Sequence, residues 1–151
     1  MKMIPDHIQA WMNQNRAESA KPKDTTTMKT PIFRLWKDFT FEAAHQLTLV
    51  DTGHQCGRLH GHSYRIRAHC EGPLDPAKQW VVDYADIAKA VKPIVEKLDH
   101  TFLNHHLDFE TTAENIAWWM AQTIKPALPQ LYAVELFETP TTSVIVRVDG
   151  L

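Results

Sequence analysis

Between Tyr64 and Glu71 apolar and polar residues alternate strictly: Tyr64, Ile66, Ala68 and Cys70 share one parity, and Arg65, Arg67, His69 and Glu71 share the other. Residues two apart on an extended chain point to the same side of a sheet. The run therefore predicts a strand with one buried and one polar face. His60 and His62 lead into it, in phase with the apolar face. A strand that turns two imidazoles inward sets two nitrogen ligands side by side in a protected place. Gly61 between them lets the chain pass close to whatever they hold.

A third histidine, His45, ends the stretch Phe41-Glu42-Ala43-Ala44-His45. The segment Ile32–Ala44 is aromatic-rich, with Phe33, Leu35, Phe39 and Phe41 on odd positions, and it predicts a second long strand. A lone histidine on an apolar face is usually a core residue satisfied by one hydrogen bond. Two on one strand face and a third nearby make a three-nitrogen metal site instead. Three protein ligands leave a tetrahedral position open, the catalytic form of a zinc centre. Neutral imidazole suits zinc, and by ligand type also nickel, copper or iron.

Cys56 sits four residues before His60, in loop material with Gly57 and Arg58. Two readings stand. As a thiolate ligand it would close the site into a structural one. Off the ion, it could take a proton from a bound substrate. Cys70, on the apolar strand face, reads as a buried inert thiol.

The bulk properties narrow the class. A chain of 151 residues suits one domain with a real core. A net charge of −2 without a basic run argues against a nucleic-acid partner. No apolar run approaches a membrane span. The first residues lack the apolar centre of a secretion signal, because Asp6, His7, Gln9, Asn13 and Gln14 interrupt it. Two cysteines in histidine company fit a reduced, cytoplasmic protein.

Residues 1–30 read as an N-terminal extension, with a short helix over Ile4–Arg16 and a flexible linker over Ala17–Thr30, and residues 31–151 as a single domain. After the second strand, Trp80-Val81-Val82 suggests a short strand. Asp83 reads as the cap of a helix with the stripe Ile87, Val91, Ile94, Val95 and Leu98. Pro93 predicts a bend or restart in that helix. Thr111-Thr112-Ala113-Glu114 reads as a capping box with Thr111 as the cap of a second helix. Leu131–Glu138 and Ser143–Val148 form a hairpin around Thr139-Pro140-Thr141-Thr142. This order argues an α+β fold with helices on one sheet face.

Two further sites have bland and functional readings. Asp99-His100 follows a helix end, where a surface turn is the ordinary reading and a carboxylate-oriented proton shuttle the functional one. Glu138 ends a strand at a tight turn. An exposed glutamate is ordinary there. A buried one needs a partner such as the guanidine-like edge of a pterin or guanine. His54, His69, His105 and His106 read as structural or solvated, and Trp118-Trp119 as helix core or interface.

Six motifs in order carry a resemblance. They are Phe39–His45, Cys56–Tyr64, Trp80–Tyr84, Leu98–Asn104, Thr112–Asn115 and Glu138–Thr141. Together, over about Ile32–Val148, the chain resembles the 6-pyruvoyltetrahydropterin synthase superfamily. Within it the chain is most similar to the bacterial 6-carboxytetrahydropterin branch of the queuosine pathway, whose short spacing from cysteine to histidines Cys56 and His60 share. The resemblance implies the tunnelling fold, an antiparallel four-stranded sheet with two helices on one face, closed into barrels by trimers that pair as hexamers. It implies 7,8-dihydroneopterin triphosphate as substrate and zinc on His45, His60 and His62. Cys56 would be the proton-abstracting base. Asp99 and His100 would be a relay from the adjacent subunit, and Glu138 the pterin anchor. The carboxy branch releases triphosphate and acetaldehyde, whereas the pyruvoyl branch keeps the side chain. A non-catalytic zinc module that binds a pterin or purine is the alternative from another class.

Overall fold

A computed structural model of the chain describes residues 5–10 and 30–148. The chain divides into two compact units, Met1–Thr30 and Pro31–Leu151. In the first, residues 6–10 are helical. The rest of the helix expected over Ile4–Arg16, and residues 17–29 of the expected linker, lie outside the described residues.

The second unit is built on two long strands. Strand β1 (Phe33–His45) pairs antiparallel with β2 (His60–Gly72), in a register running from Phe33 opposite Gly72 to His45 opposite His60. The alternation works as predicted: Phe41, Ala43 and His45 of β1 and Tyr64, Ile66, Ala68 and Cys70 of β2 are all buried. After β2 come helix α1 (Tyr84–Leu98), the two-residue strand β3 (Thr101–Phe102) and helix α2 (Ala113–Ile124). Strands β4 (Leu131–Thr139) and β5 (Thr142–Arg147) close the unit as a hairpin. The sheet order is β3-β1-β2-β4-β5. Ile87, Val91 and Leu98 of α1 and Ile116, Met120 and Ile124 of α2 share one core cluster with the buried sheet residues. This is the α+β architecture expected. Among the described residues no helix is long and apolar enough to cross a membrane.

Four local expectations are corrected. The sheet has five strands where four were expected. β3 runs parallel to β1 at Ala43 and Ala44, and two residues are too few to leave a periodicity. Trp80-Val81-Val82 is not a strand; the Trp80 carbonyl accepts from the Asp75 amide at 2.8 Å and so closes a loop. Helix α1 does not restart at Pro93 but runs as one helix through it. Pro93 and Lys89, whose carbonyl loses its usual donor, are both exposed, so water can satisfy the freed group. The cap of α2 is Thr112, whose hydroxyl accepts from the Asn115 amide at 3.4 Å, and not Thr111. Thr111 is fully buried and has other work. Asp83 caps α1 as expected, accepting from the Ala85 amide at 2.8 Å.

A candidate metal centre and its surroundings

The register of β1 and β2 makes the centre. His45 and His60 are direct cross-strand partners, and His62 lies one step further along the inner face of β2. The three can offer ring nitrogens that all lie within 4.8 Å of one another. Cys56 is not part of that cluster.

Each of two rings is oriented by a backbone carbonyl. His45 Nδ1 lies 2.8 Å from the Thr111 oxygen, and His60 Nδ1 lies 2.8 Å from the Arg58 oxygen. A carbonyl only accepts, so each Nδ1 carries a proton, and in the neutral rings that metal binding requires both Nε2 atoms present bare lone pairs. Those two Nε2 atoms are 3.0 Å apart. Two acceptors at that distance repel unless a cation lies between them. Nitrogens about 2.0–2.1 Å from a tetrahedral ion sit roughly 3.3 Å from each other, so the donor set fits a zinc-like ion. Burial lowers the His45 pKa against the raising effect of the Thr111 carbonyl, and the other two imidazoles lower it further. The neutral form, which is the ligand form, is favoured.

Tyr64 forms the floor. Its ring stacks on Phe41 at 4.8 Å and meets His62 edge-on at 5.4 Å. Its hydroxyl is buried and has no hydrogen-bond partner among the described residues. Burial, and then the Glu138 carboxylate, push its acidity far out of range, so it stays a neutral phenol.

Glu138 faces the cluster, with Oε1 4.0 Å from His45 Nε2. It also lines a cavity of about 250 Å³ with Leu47, Thr112, Glu114 and Leu136. Glu114 is a second carboxylate at this cavity that sequence reasoning assigned only to helix capping. Its motif was visible, but a capping glutamate and a site glutamate look alike in sequence.

Cys56 lies half-buried in a short 3-10 turn, Gln55–Gly57. Its amide donates to His54 Nδ1 at 3.1 Å, and its carbonyl accepts from the Leu47 amide at 2.9 Å. His54, read from sequence as structural or solvated, has a structural role: it caps the turn that carries the thiol. By contrast Cys70 is fully buried, and desolvation pushes its thiol up to about 11 against a lowering by Lys125.

Asp99 and His100 form a pair, with Asp99 Oδ1 3.0 Å from His100 Nδ1. The same oxygen accepts from the Glu42 amide at 2.8 Å. That amide bond is the main cause of an Asp99 pKa below the ordinary carboxylate value, with His100 contributing less. Asp99 is therefore ionised and holds the His100 proton on Nδ1, which leaves Nε2 open. His100 adopts a left-handed backbone (φ 56), and its side chain is 79% exposed. It shares an open depression of about 490 Å³ with His62, Glu42 and Phe102.

Residues 34–149 match the family described as 6-pyruvoyl tetrahydropterin synthase. The chain is 37% identical over 116 residues to 6-carboxy-5,6,7,8-tetrahydropterin synthase of Synechocystis sp., covering 72% of this chain and 88% of that relative. The enzyme of the same name from Haemophilus influenzae is 28% identical over 137 residues, covering 74% of this chain and 96% of its own. The fold superimposes on 6-pyruvoyl tetrahydropterin synthase of Caenorhabditis elegans with a TM-score of 0.72 at 28% identity, covering 80% of this chain and 99% of that one.

Proposed function

The chain belongs to the 6-pyruvoyl tetrahydropterin synthase family, and within it we propose that this site carries out the 6-carboxy-5,6,7,8-tetrahydropterin synthase reaction. In that reaction 7,8-dihydroneopterin triphosphate and one water become 6-carboxy-5,6,7,8-tetrahydropterin, triphosphate and acetaldehyde. Relatives bearing that name support the carboxy branch. The observation that carries the reading is the pair of bare Nε2 atoms 3.0 Å apart on His45 and His60, an arrangement suited to a cation.

His45, His60 and His62 would hold zinc. Bound there, the ion would supply Lewis acidity to the hydroxyls of the substrate side chain. The remaining work falls to the chain's own groups. Glu138 would accept two N–H bonds from the guanidine-like edge of the pterin, which fixes the propyl side chain over the histidines. The Cys56 sulfur, outside the imidazole cluster, would accept the carbon-bound proton of that side chain. His100, held in one tautomer by Asp99, would deliver and remove protons through Nε2. Tyr64 excludes water from beneath the histidines.

The assembly is also a proposal: trimers closing a barrel, paired as a hexamer, with sites between subunits. Two features support it. β5 ends the sheet on one side, and on the other β3 covers β1 only at Ala43 and Ala44. The high exposure of His100 suits a group that works on a neighbour's substrate. A cytoplasmic setting and a role in queuosine synthesis belong to the same reading.

Product identification tests it. The zinc-loaded protein is incubated with 7,8-dihydroneopterin triphosphate and the products are resolved by mass spectrometry. Acetaldehyde with 6-carboxytetrahydropterin supports the carboxy reaction. A three-carbon side chain retained on the ring would assign the pyruvoyl reaction instead. No product from a protein that holds zinc tightly would favour a binding module.

A further inference from the structure

We propose that Glu110 is a positioning residue: its carboxylate clasps the chain between His45 and the Cys56 turn, so that thiol and metal centre keep one relative geometry. The proposal rests on the role given to Cys56 above.

The segment after His45 must leave the sheet and return to the Cys56 turn. Its two halves are fixed differently. Gln46 is clasped by Asn104, which accepts from the Gln46 amide at 3.0 Å and donates to its carbonyl at 2.8 Å. The Gln46 side chain donates to the Gly57 carbonyl at 2.9 Å, and the Leu47 amide donates to the Cys56 carbonyl at 2.9 Å. The position of the Cys56 turn therefore follows that of residues 46–47.

Beyond Leu47 the segment is held by Glu110. Oε1 accepts from the Thr48 amide at 2.6 Å and the Leu49 amide at 3.1 Å, and Oε2 accepts from the Thr48 hydroxyl at 2.6 Å. The donors are all neutral, so these are charge-assisted bonds to an ionised acceptor, the stronger kind. Those bonds, the Thr48 hydroxyl first, hold the Glu110 carboxyl below the usual range. Glu110 is itself anchored, because its carbonyl accepts from Asn115 Nδ2 and from the Thr112 amide, each at 2.9 Å. The next residue, Thr111, supplies the carbonyl that orients His45. One dipeptide thus holds a metal-ligand candidate through its backbone and, through its side chain, residues 48–49 of the segment that leads to the thiol-bearing turn. A shift of about 1 Å in a reacting group can cost on the order of a hundredfold in rate.

The test compares Glu110→Ala with Glu110→Gln in the full chain. The amide of Glu110→Gln can still accept from both backbone N–H groups, and its NH2 can donate to the Thr48 oxygen, so geometry is kept while charge is lost. Glu110→Ala should speed hydrogen exchange at Thr48 and Leu49 by about tenfold or more. It should change the rate of Cys56 alkylation by iodoacetamide by about threefold or more. It should lower kcat by roughly 10–100-fold, the usual scale for outer-shell partners, while KM stays within about threefold and zinc stoichiometry is unchanged. Glu110→Gln should lie within about threefold of the unsubstituted protein in every measurement. Unchanged exchange and alkylation in Glu110→Ala overturns the proposal, as does equal loss in both variants. If Glu110→Ala does not fold, Thr48→Val, which removes only the hydroxyl contact, replaces it and must change the Cys56 alkylation rate relative to the unsubstituted protein; an unchanged rate overturns the proposal. Absence of turnover in the unsubstituted protein would instead fail the reaction assignment, and the exchange and alkylation readouts would still judge Glu110.

Discussion

His45 and His60 face each other through Nε2 at 3.0 Å while each donates its Nδ1 proton backwards to a backbone carbonyl. The site is thereby preorganised for a cation, and removing either ring removes half of that arrangement. His60→Ala should abolish stoichiometric zinc binding, measured by chelator competition, and with it turnover. In the unsubstituted protein, free zinc at a hundred times its Kd should raise unfolding free energy by about 2.7 kcal/mol over the apo form. An apo protein with the same melting temperature as the zinc-loaded one would contradict this.

Cys56→Ala should retain one equivalent of zinc and the native circular dichroism spectrum. Its kcat should fall by about 10²–10⁴-fold, the span general-base groups usually supply. Zinc loss in this variant would make Cys56 a ligand and overturn its assignment as the base.

Asp99→Asn keeps an oxygen for the Glu42 amide but takes the negative charge away from His100. We expect native assembly with kcat reduced at least tenfold and KM little changed, because the imidazole keeps an acceptor for Nδ1 but loses the negative charge that stabilises its protonated form. Steady-state kinetics of the variant decide the point. A rise in KM alone would assign Asp99 to substrate binding.

Asp38 anchors the polar face of the sheet, accepting from Arg67 at 2.7 and 2.9 Å and from Arg65 at 3.3 Å. The Arg67 hydrogen bond is the first cause of its lowered pKa. A carboxyl whose folded pKa lies below its unfolded value stabilises the fold fully above the unfolded value. That stabilisation is lost as pH falls through the folded value. Asp38→Asn should therefore lower the urea midpoint at pH 7, and the difference should vanish as pH drops below the ordinary aspartate range. A difference that persists at the lowest pH would mean that packing, and not charge, is responsible.

Much of the site was legible in the linear order of residues. The alternation from Tyr64 to Cys70, in phase with His60 and His62, determined both the buried face of β2 and the inward aim of the two imidazoles. The odd-position aromatics of β1 did the same for His45. Periodicity is local: it needs only the alternation of side chains on an extended chain. Asp83 and the stripe of α1 were readable for the same reason.

What the tertiary structure alone decided has no local signal. The ring of His45 is oriented by the carbonyl of Thr111, 66 positions away, and a backbone carbonyl is the same group on every residue. Thr111 and Thr112 both look like helix caps. Burial separates them, sending one into the core, where its carbonyl meets His45, and leaving the other to cap. Glu110 carries no motif and Glu114 reads as a capping glutamate, and only the return of the chain after His45 brings donors to the first and a cavity to the second. The sequence by itself determined which side chains turn inward. The fold decided which distant backbone groups orient them, because such pairings depend on where the chain comes back and not on what it is made of.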